Sequence, residues 1–177
     1  MKKTLIALME DQPGVLARVT TLIRRRNFNV VSLGVAPTEA PTISRMTAVL
    51  ECDESQEEQV GKQLRKLINV TKVITDLTPE RAIFRELALI KVNSNPATRT
   101  EIIQLAGVFR AQVVDVSPNT LTIEATGTED KLDSLIELLR PFGLREMART
   151  GPVAMLRGAA TGQSGTSGDS AQIESGR

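Results

Sequence analysis

The chain contains no histidine, no tryptophan and no tyrosine, and only one cysteine and four phenylalanines among 177 residues. The lack of histidine removes the side chain most often used as a general base near neutral pH. It also excludes every Ser-His-Asp or Cys-His nucleophile system, and any metal centre built on histidine and cysteine together. With so few rings there is little stacking surface for nucleobases or sugars. Cys52 has no partner for an internal disulfide and no charged-then-apolar secretory segment opens the chain, which points to a cytoplasmic location. No apolar run reaches the roughly 18 residues of a membrane helix. The net charge is +1, with 24% charged and 41% hydrophobic residues, so nothing draws the chain to nucleic acid or to an acidic membrane. Carboxylates remain as acid-base groups, but they lie mainly at helix starts and on polar helix faces, where solvated charges sit. The chain on its own is therefore not expected to be an enzyme.

What is present is one order of short segments, used twice. Residues 3–9 form an apolar run that stops at Glu10-Asp11 and Pro13-Gly14, a strand leading into a turn. Val15, Leu16, Val19, Leu22 and Ile23 then share one helical face, and Arg24-Arg25-Arg26 supplies cations at the negative end of that helix. Residues 28–35 and 45–50 read as two strands joined by a proline-containing loop. Asp53 or Ser55 caps a second helix carrying Val60, Leu64, Leu67 and Ile68 inward, and residues 70–77 close the unit as a strand.

After Thr78-Pro79 the order starts again. Residues 84–92 read as a strand and 98–109 as a helix with Ile102, Ile103 and Ala106 inward. Two strands at 111–116 and 121–125 flank the turn Ser117-Pro118-Asn119-Thr120. A helix opening at Thr128 or Glu129 buries Leu132, Leu135, Ile136 and Leu139 and is stopped by Pro141. Residues 144–148 close the second unit, extended by 153–156. A repeat of roughly 75 to 80 residues predicts an α+β fold of two ferredoxin-like βαββαβ domains, 1–78 and 79–157. The remainder, 158–177, is rich in Gly, Ser and Thr with Ile173 as its single large apolar residue, and reads as a flexible tail.

The first strand is apolar on both sides, because Leu5, Ala7 and Met9 alternate with Ile6 and Leu8. Either copies of the chain associate, or this strand lies between the helices and the second domain. Chemical content gathers at Asp11-Gln12-Pro13-Gly14-Val15-Leu16, where the first strand passes into the first helix. Gly14 permits a tight turn and lets a ligand approach main-chain N–H groups that lack helical partners. Those groups, at the positive end of a helix, suit a carboxylate, and Asp11 offers an acceptor for an ammonium group. One loop could thus receive both ends of a zwitterionic amino acid. The same residue types also serve helix capping alone.

Asp-x-Pro-Gly-x-Leu after the opening strand of a βαββαβ unit resembles the ACT domain, a family of small amino-acid sensors. Residues 27–33 (NFNVVSL) and 35–47 (VAPTEAPTISRMT) are similar to the small-subunit family of acetolactate synthase. Residues 109–116 (FRAQVVDV) and 148–151 (ARTG) resemble that family's second domain, and the likeness runs from 2 to 158. The resemblance implies a non-catalytic regulatory subunit that binds a large, thiamine-diphosphate-dependent subunit. That partner condenses pyruvate with pyruvate or 2-oxobutyrate. The small subunit raises its activity and confers feedback inhibition, usually by valine. Thiamine diphosphate, magnesium and FAD are implied for the large subunit only, and no cofactor for this chain.

Effector sites in the family lie between the ACT domains of two copies in a homodimer. Carried onto this chain, Asp11, Gly14, Val15 and Leu16 face Asn29 and Val30 of the other copy, with Asn29 meeting the ligand's polar groups and Val30 and Leu16 lining its side-chain pocket. Two features depart from the pattern: Asp11 stands where asparagine is frequent, and the segment before Pro41, Glu39-Ala40, is less acidic than usual. A free-standing ACT module or transcriptional regulator would account for the loop but not for 37–47. A small hydrolase on the same scaffold finds no phosphate-cradling motif to support it.

Overall fold

The computed structural model describes residues 1–158; apart from Gly158, the segment read as a tail lies outside the described residues. The first unit runs β1 (Lys2–Glu10), α1 (Val15–Arg25), β2 (Asn29–Pro37), β3 (Ile43–Glu51), α2 (Glu54–Leu64) and β4 (Val70–Ile74). Its strands pair antiparallel in the order β2-β3-β1-β4. The second runs β5 (Ala82–Asn93), α3 (Arg99–Val108), β6 (Gln112–Val116), β7 (Thr120–Gly127), α4 (Glu129–Leu139), β8 (Leu144–Arg149) and β9 (Val153–Leu156). Its order, β6-β7-β5-β8, repeats the first topology, with β9 added on β5. The α+β, twofold ferredoxin-like architecture read from the sequence is the architecture of the chain.

Local chemistry accounts for most boundaries. Of the two cap residues expected for α2, Asp53 acts: its Oδ1 accepts from Gln56 N at 2.8 Å and Gln56 Oε1 accepts from Asp53 N at 2.9 Å, a reciprocal capping box. Pairing across the sheet moves several strand ends. β3 begins at Ile43 because Ile43 and Ser44 pair with Glu10 and Met9. β4 ends at Ile74, ahead of Asp76, whose φ of 57° leaves the extended region. The expected extension of β8 is a separate strand: after residues 150–152, β9 resumes pairing with Ala82–Arg85, which also starts β5 two residues early.

The first core packs Leu5, Ala7 and Met9 of β1 and Met46, Ala48 and Leu50 of β3 against Val15, Val19 and Ile23 of α1 and Val60 and Leu64 of α2. The second packs Ala88, Ile90, Val92, Leu121 and Ile123 against Ile102, Ala106, Leu132, Leu135 and Leu139. Two residues expected inside are outside. Ile68 follows the end of α2 and is 89% exposed, and Ile103 is 46% exposed because α3 turns only one narrow stripe inward.

The opposite face of the first sheet is buried as well, at Ile6, Leu8, Thr47 and Val49. Arg45, paired with Leu8 on that face, donates from Nη2 to the carbonyl of Ala154 in β9. Gly151 abuts Ser32 of β2, and Lys2 forms an ion pair with Glu129 of α4. The second unit therefore reaches this face, and the two-sided apolar pattern of β1 is answered within one chain.

Candidate functional site

The loop between β1 and α1 is pinned where it leaves the sheet and open where it enters the helix. Asp11 N donates to Thr42 O at 2.8 Å and Gln12 N to Glu10 O at 3.0 Å, which fixes the turn against the start of β3. Gly14 then occupies the N-cap with φ 86°, in the left-handed region that favours glycine, and no side chain caps the helix. Arg18 N makes the first helical bond to Gly14 O at 3.1 Å, so the N–H groups of Leu16 and Ala17 precede any helical partner. A Cβ built on Gly14 would meet nothing within 4 Å. The junction is accordingly an exposed set of donors at the positive end of α1, with the exposed Asp11 carboxylate beside it.

Of the other expected residues in this loop, Val15 sends its side chain into the core at 4% exposure, leaving only its main chain at the junction. Leu16 is 39% exposed, turned away from the core that α1 otherwise serves. Asn29 and Val30 begin β2, the edge strand of the sheet. Asn29 Nδ2 donates to Glu51 Oε2 at 2.6 Å. Val30, Val31, Leu33 and Val35 are all exposed along this strand, which pairs with β3 on one side and, among the described residues, with no strand on the other.

The structure does not bring the six residues together within one chain. Glu10, next to the glycine loop, pairs with Ile43, whereas Asn29 pairs with Glu51. Eight residue steps of β3 separate those positions, about 26 Å at 3.3 Å per residue. The loop and Asn29 thus stand at opposite ends of one sheet.

The second unit treats its equivalent junction differently. Asn95 Oδ1 accepts from Ala97 N at 2.9 Å and Thr98 N at 3.0 Å. Arg99 folds across, donating from Nη2 to Ser117 O and Pro118 O at 2.8 Å each and from Nε to Ser94 Oγ at 3.1 Å. The second strand-to-helix junction is filled by its own side chains.

Sequence reasoning missed two further features. Glu51 lies 22 residues from its partner Asn29, and only strand register relates them. Arg149 forms a forked pair with the buried Glu86, at 2.8 Å from both Nε and Nη2, and reaches Asp133 at 2.6 Å. These carboxylates hold the guanidinium strongly protonated, with the Glu86 hydrogen bonds as the main cause. Glu57, in the first turn of α2, serves the fold: it accepts from Asp76 N at 2.9 Å and pairs with Lys3 at 3.4 Å. Among the described residues no cluster of His, Cys, Asp and Glu could hold a metal ion. Nor is any helix among them long and apolar enough to cross a membrane.

An open glycine junction on one βαββαβ unit, followed by a second unit of the same topology, is the arrangement of a protein built on ACT domains, and the family match assigns the chain to that class. Residues 5–72 match the AHAS small subunit-like ACT domain, and residues 85–158 match the family described as small subunit of acetolactate synthase. The chain is 52% identical over 155 residues to the acetolactate synthase small subunit of Mycolicibacterium smegmatis, covering 88% of this chain and 91% of that one. It is 52% identical over 158 residues to the probable acetolactate synthase small subunit of Archaeoglobus fulgidus, covering 89% and 98%. The crystal structure of the Thermotoga maritima acetolactate synthase small subunit superposes with a TM-score of 0.83 at 38% identity, covering 90% of this chain and 99% of that one. The chain belongs to the family of acetolactate synthase small subunits, with a regulatory role in branched-chain amino-acid biosynthesis.

Proposed function

We propose that this chain activates a large, thiamine-diphosphate-dependent acetolactate synthase subunit and makes it sensitive to feedback inhibition by valine or another branched-chain amino acid. Catalysis resides in the large subunit, which holds thiamine diphosphate, magnesium and FAD; this chain contributes none of them. The observation that carries this reading is the separation of two half-sites. The uncapped donors at Gly14 and the Asn29 end of β2 lie at opposite ends of one sheet, so two copies paired antiparallel along their exposed β2 edges would bring each loop to the other's Asn29 and Val30.

In that homodimer the effector's carboxylate takes the free N–H groups of the first turn of α1, and Asp11 lies within the same loop for the ammonium group. Leu16 of one copy and Val30 of the other enclose the side chain. Occupancy stabilises one arrangement of the paired domains, and the large subunit responds through a coupling of about 1 to 3 kcal/mol. Pocket size separates valine from leucine or isoleucine by only about 1 to 3 kcal/mol per methylene, so partial sensitivity to all three is expected.

The test is acetolactate formation by the large subunit, with and without this chain, titrated with valine, leucine and isoleucine. Wild-type chain raises the rate and confers inhibition. Gly14→Asp puts a carboxylate where the effector's own must bind, in a backbone conformation that disfavours it. Inhibition is then lost while activation is retained. Retained inhibition would contradict the site, and an unaffected large subunit would contradict the function.

A further inference from the structure

Glu51 lies outside the six residues assigned to the effector site, yet it decides what one of them can present. We propose that Glu51 is a positioning residue: it locks the Asn29 amide so that the carbonyl oxygen faces the ligand, and thereby selects an α-amino acid over the corresponding 2-oxo acid. This rests on the effector site described above.

An asparagine amide can turn either its oxygen or its NH2 group toward a ligand, and its neighbours determine which. Here the neighbour is a carboxylate, which only accepts. Glu51 stands directly opposite Asn29 in the β2–β3 ladder, and Asn29 Nδ2 donates to its Oε2 at 2.6 Å, a charge-assisted bond. The amide nitrogen is committed, and Oδ1 is left as the group on offer. Among the described residues no hydrogen-bond donor reaches that oxygen.

Nor is the carboxylate neutralised from its other side. Lys2 pairs with Glu51 in the β1–β3 ladder, but its ammonium group is taken by Glu129 of α4. The end of the first sheet therefore displays an acceptor oxygen backed by a negative charge. That combination welcomes an ammonium group and opposes a carboxylate. With donors on the Gly14 loop of one copy, and acceptors at its Asp11 and at Asn29 of the other, the ligand has one orientation: carboxylate to the first turn of the helix, ammonium between Asp11 and the Asn29 oxygen. A 2-oxo acid with the same hydrocarbon side chain offers no donor and leaves Oδ1 unpaired, a mismatch against which polar sites discriminate well.

Calorimetric titration of the full-length dimer with L-valine and with 3-methyl-2-oxobutanoate, its 2-oxo analogue, tests this. Wild-type chain prefers L-valine. Glu51→Ala releases the amide, weakens L-valine about tenfold and leaves the oxo acid unchanged, so the preference shrinks. Glu51→Gln can still accept from Asn29 Nδ2 through its own amide oxygen and recovers most of the L-valine affinity. Gly14→Asp serves as the reference and abolishes L-valine binding. Wild-type L-valine affinity in Glu51→Ala, or equal loss of both ligands, overturns the proposal while the Gly14→Asp loss keeps the effector site standing. L-valine binding unchanged by Gly14→Asp overturns the site itself, and the role of Glu51 with it.

Discussion

Gly14 and Gly151 hold left-handed backbone, at φ 86° and 71°, in opposite surroundings. Around Gly14 there is open space, whereas a Cβ on Gly151 would lie 2.5 Å from Ser32 Oγ and 2.6 Å from Ser32 Cβ. The first glycine keeps a junction accessible, and the second lets the β8–β9 corner press against β2. Alanine at either position carries the left-handed penalty of about 1 kcal/mol. Gly151→Ala must also displace Ser32, so it is expected to lower the urea midpoint further than Gly14→Ala does; equal midpoints would mean that the corner yields freely. From the sequence, residues 148–151 stood out only by family resemblance. Nothing local to them indicates that Ser32 is the neighbour, because the contact joins positions more than a hundred residues apart.

At the level of elements, helices were legible where their signals are local. The arginines closing α1 and the leucine stripe of α4 are all written within a turn or two of where they act. Asp53, one of the two caps expected, makes the clearest case, and Asp53→Ala removes the bond its Oδ1 accepts from Gln56 N while its backbone N–H can still donate to Gln56 Oε1. The loss expected is about 1 kcal/mol of stability, read from thermal unfolding, with the β-sheet signal of the folded chain unchanged. Strand ends were less legible because a partner strand sets them. Ile43 and Ala82 become strand through Glu10 and Leu156, which no window around either residue contains. Ile68 and Ile103 were misplaced for a related reason: helical periodicity identifies an apolar stripe but not where the helix stops or how wide the neighbouring sheet is.

Across the whole molecule, one topology is used twice with different results. The first unit leaves its strand-to-helix junction open at Gly14, and the second closes its own with Asn95 and Arg99. The repeat itself could be read from the order of segments. The closure could not, since Arg99 reaches the carbonyls of Ser117 and Pro118 from another element. The exposed apolar edge of β2 is the edge along which the proposed homodimer pairs. The proposed effector site was legible as a glycine loop, and its separation from Asn29 only from the register of β3.

Mixed dimers test the two-chain site most directly. Gly14→Asp and Asn29→Ala chains are purified separately, mixed under conditions that exchange subunits, and titrated with L-valine. Neither variant alone binds. In a mixed dimer the intact Gly14 loop of one chain faces the intact Asn29 of the other, so one working site per mixed dimer reappears and valine binding returns. If each site were built within a single chain, every chain in the mixture would carry a defect, and binding would stay absent after exchange; that result would contradict the account.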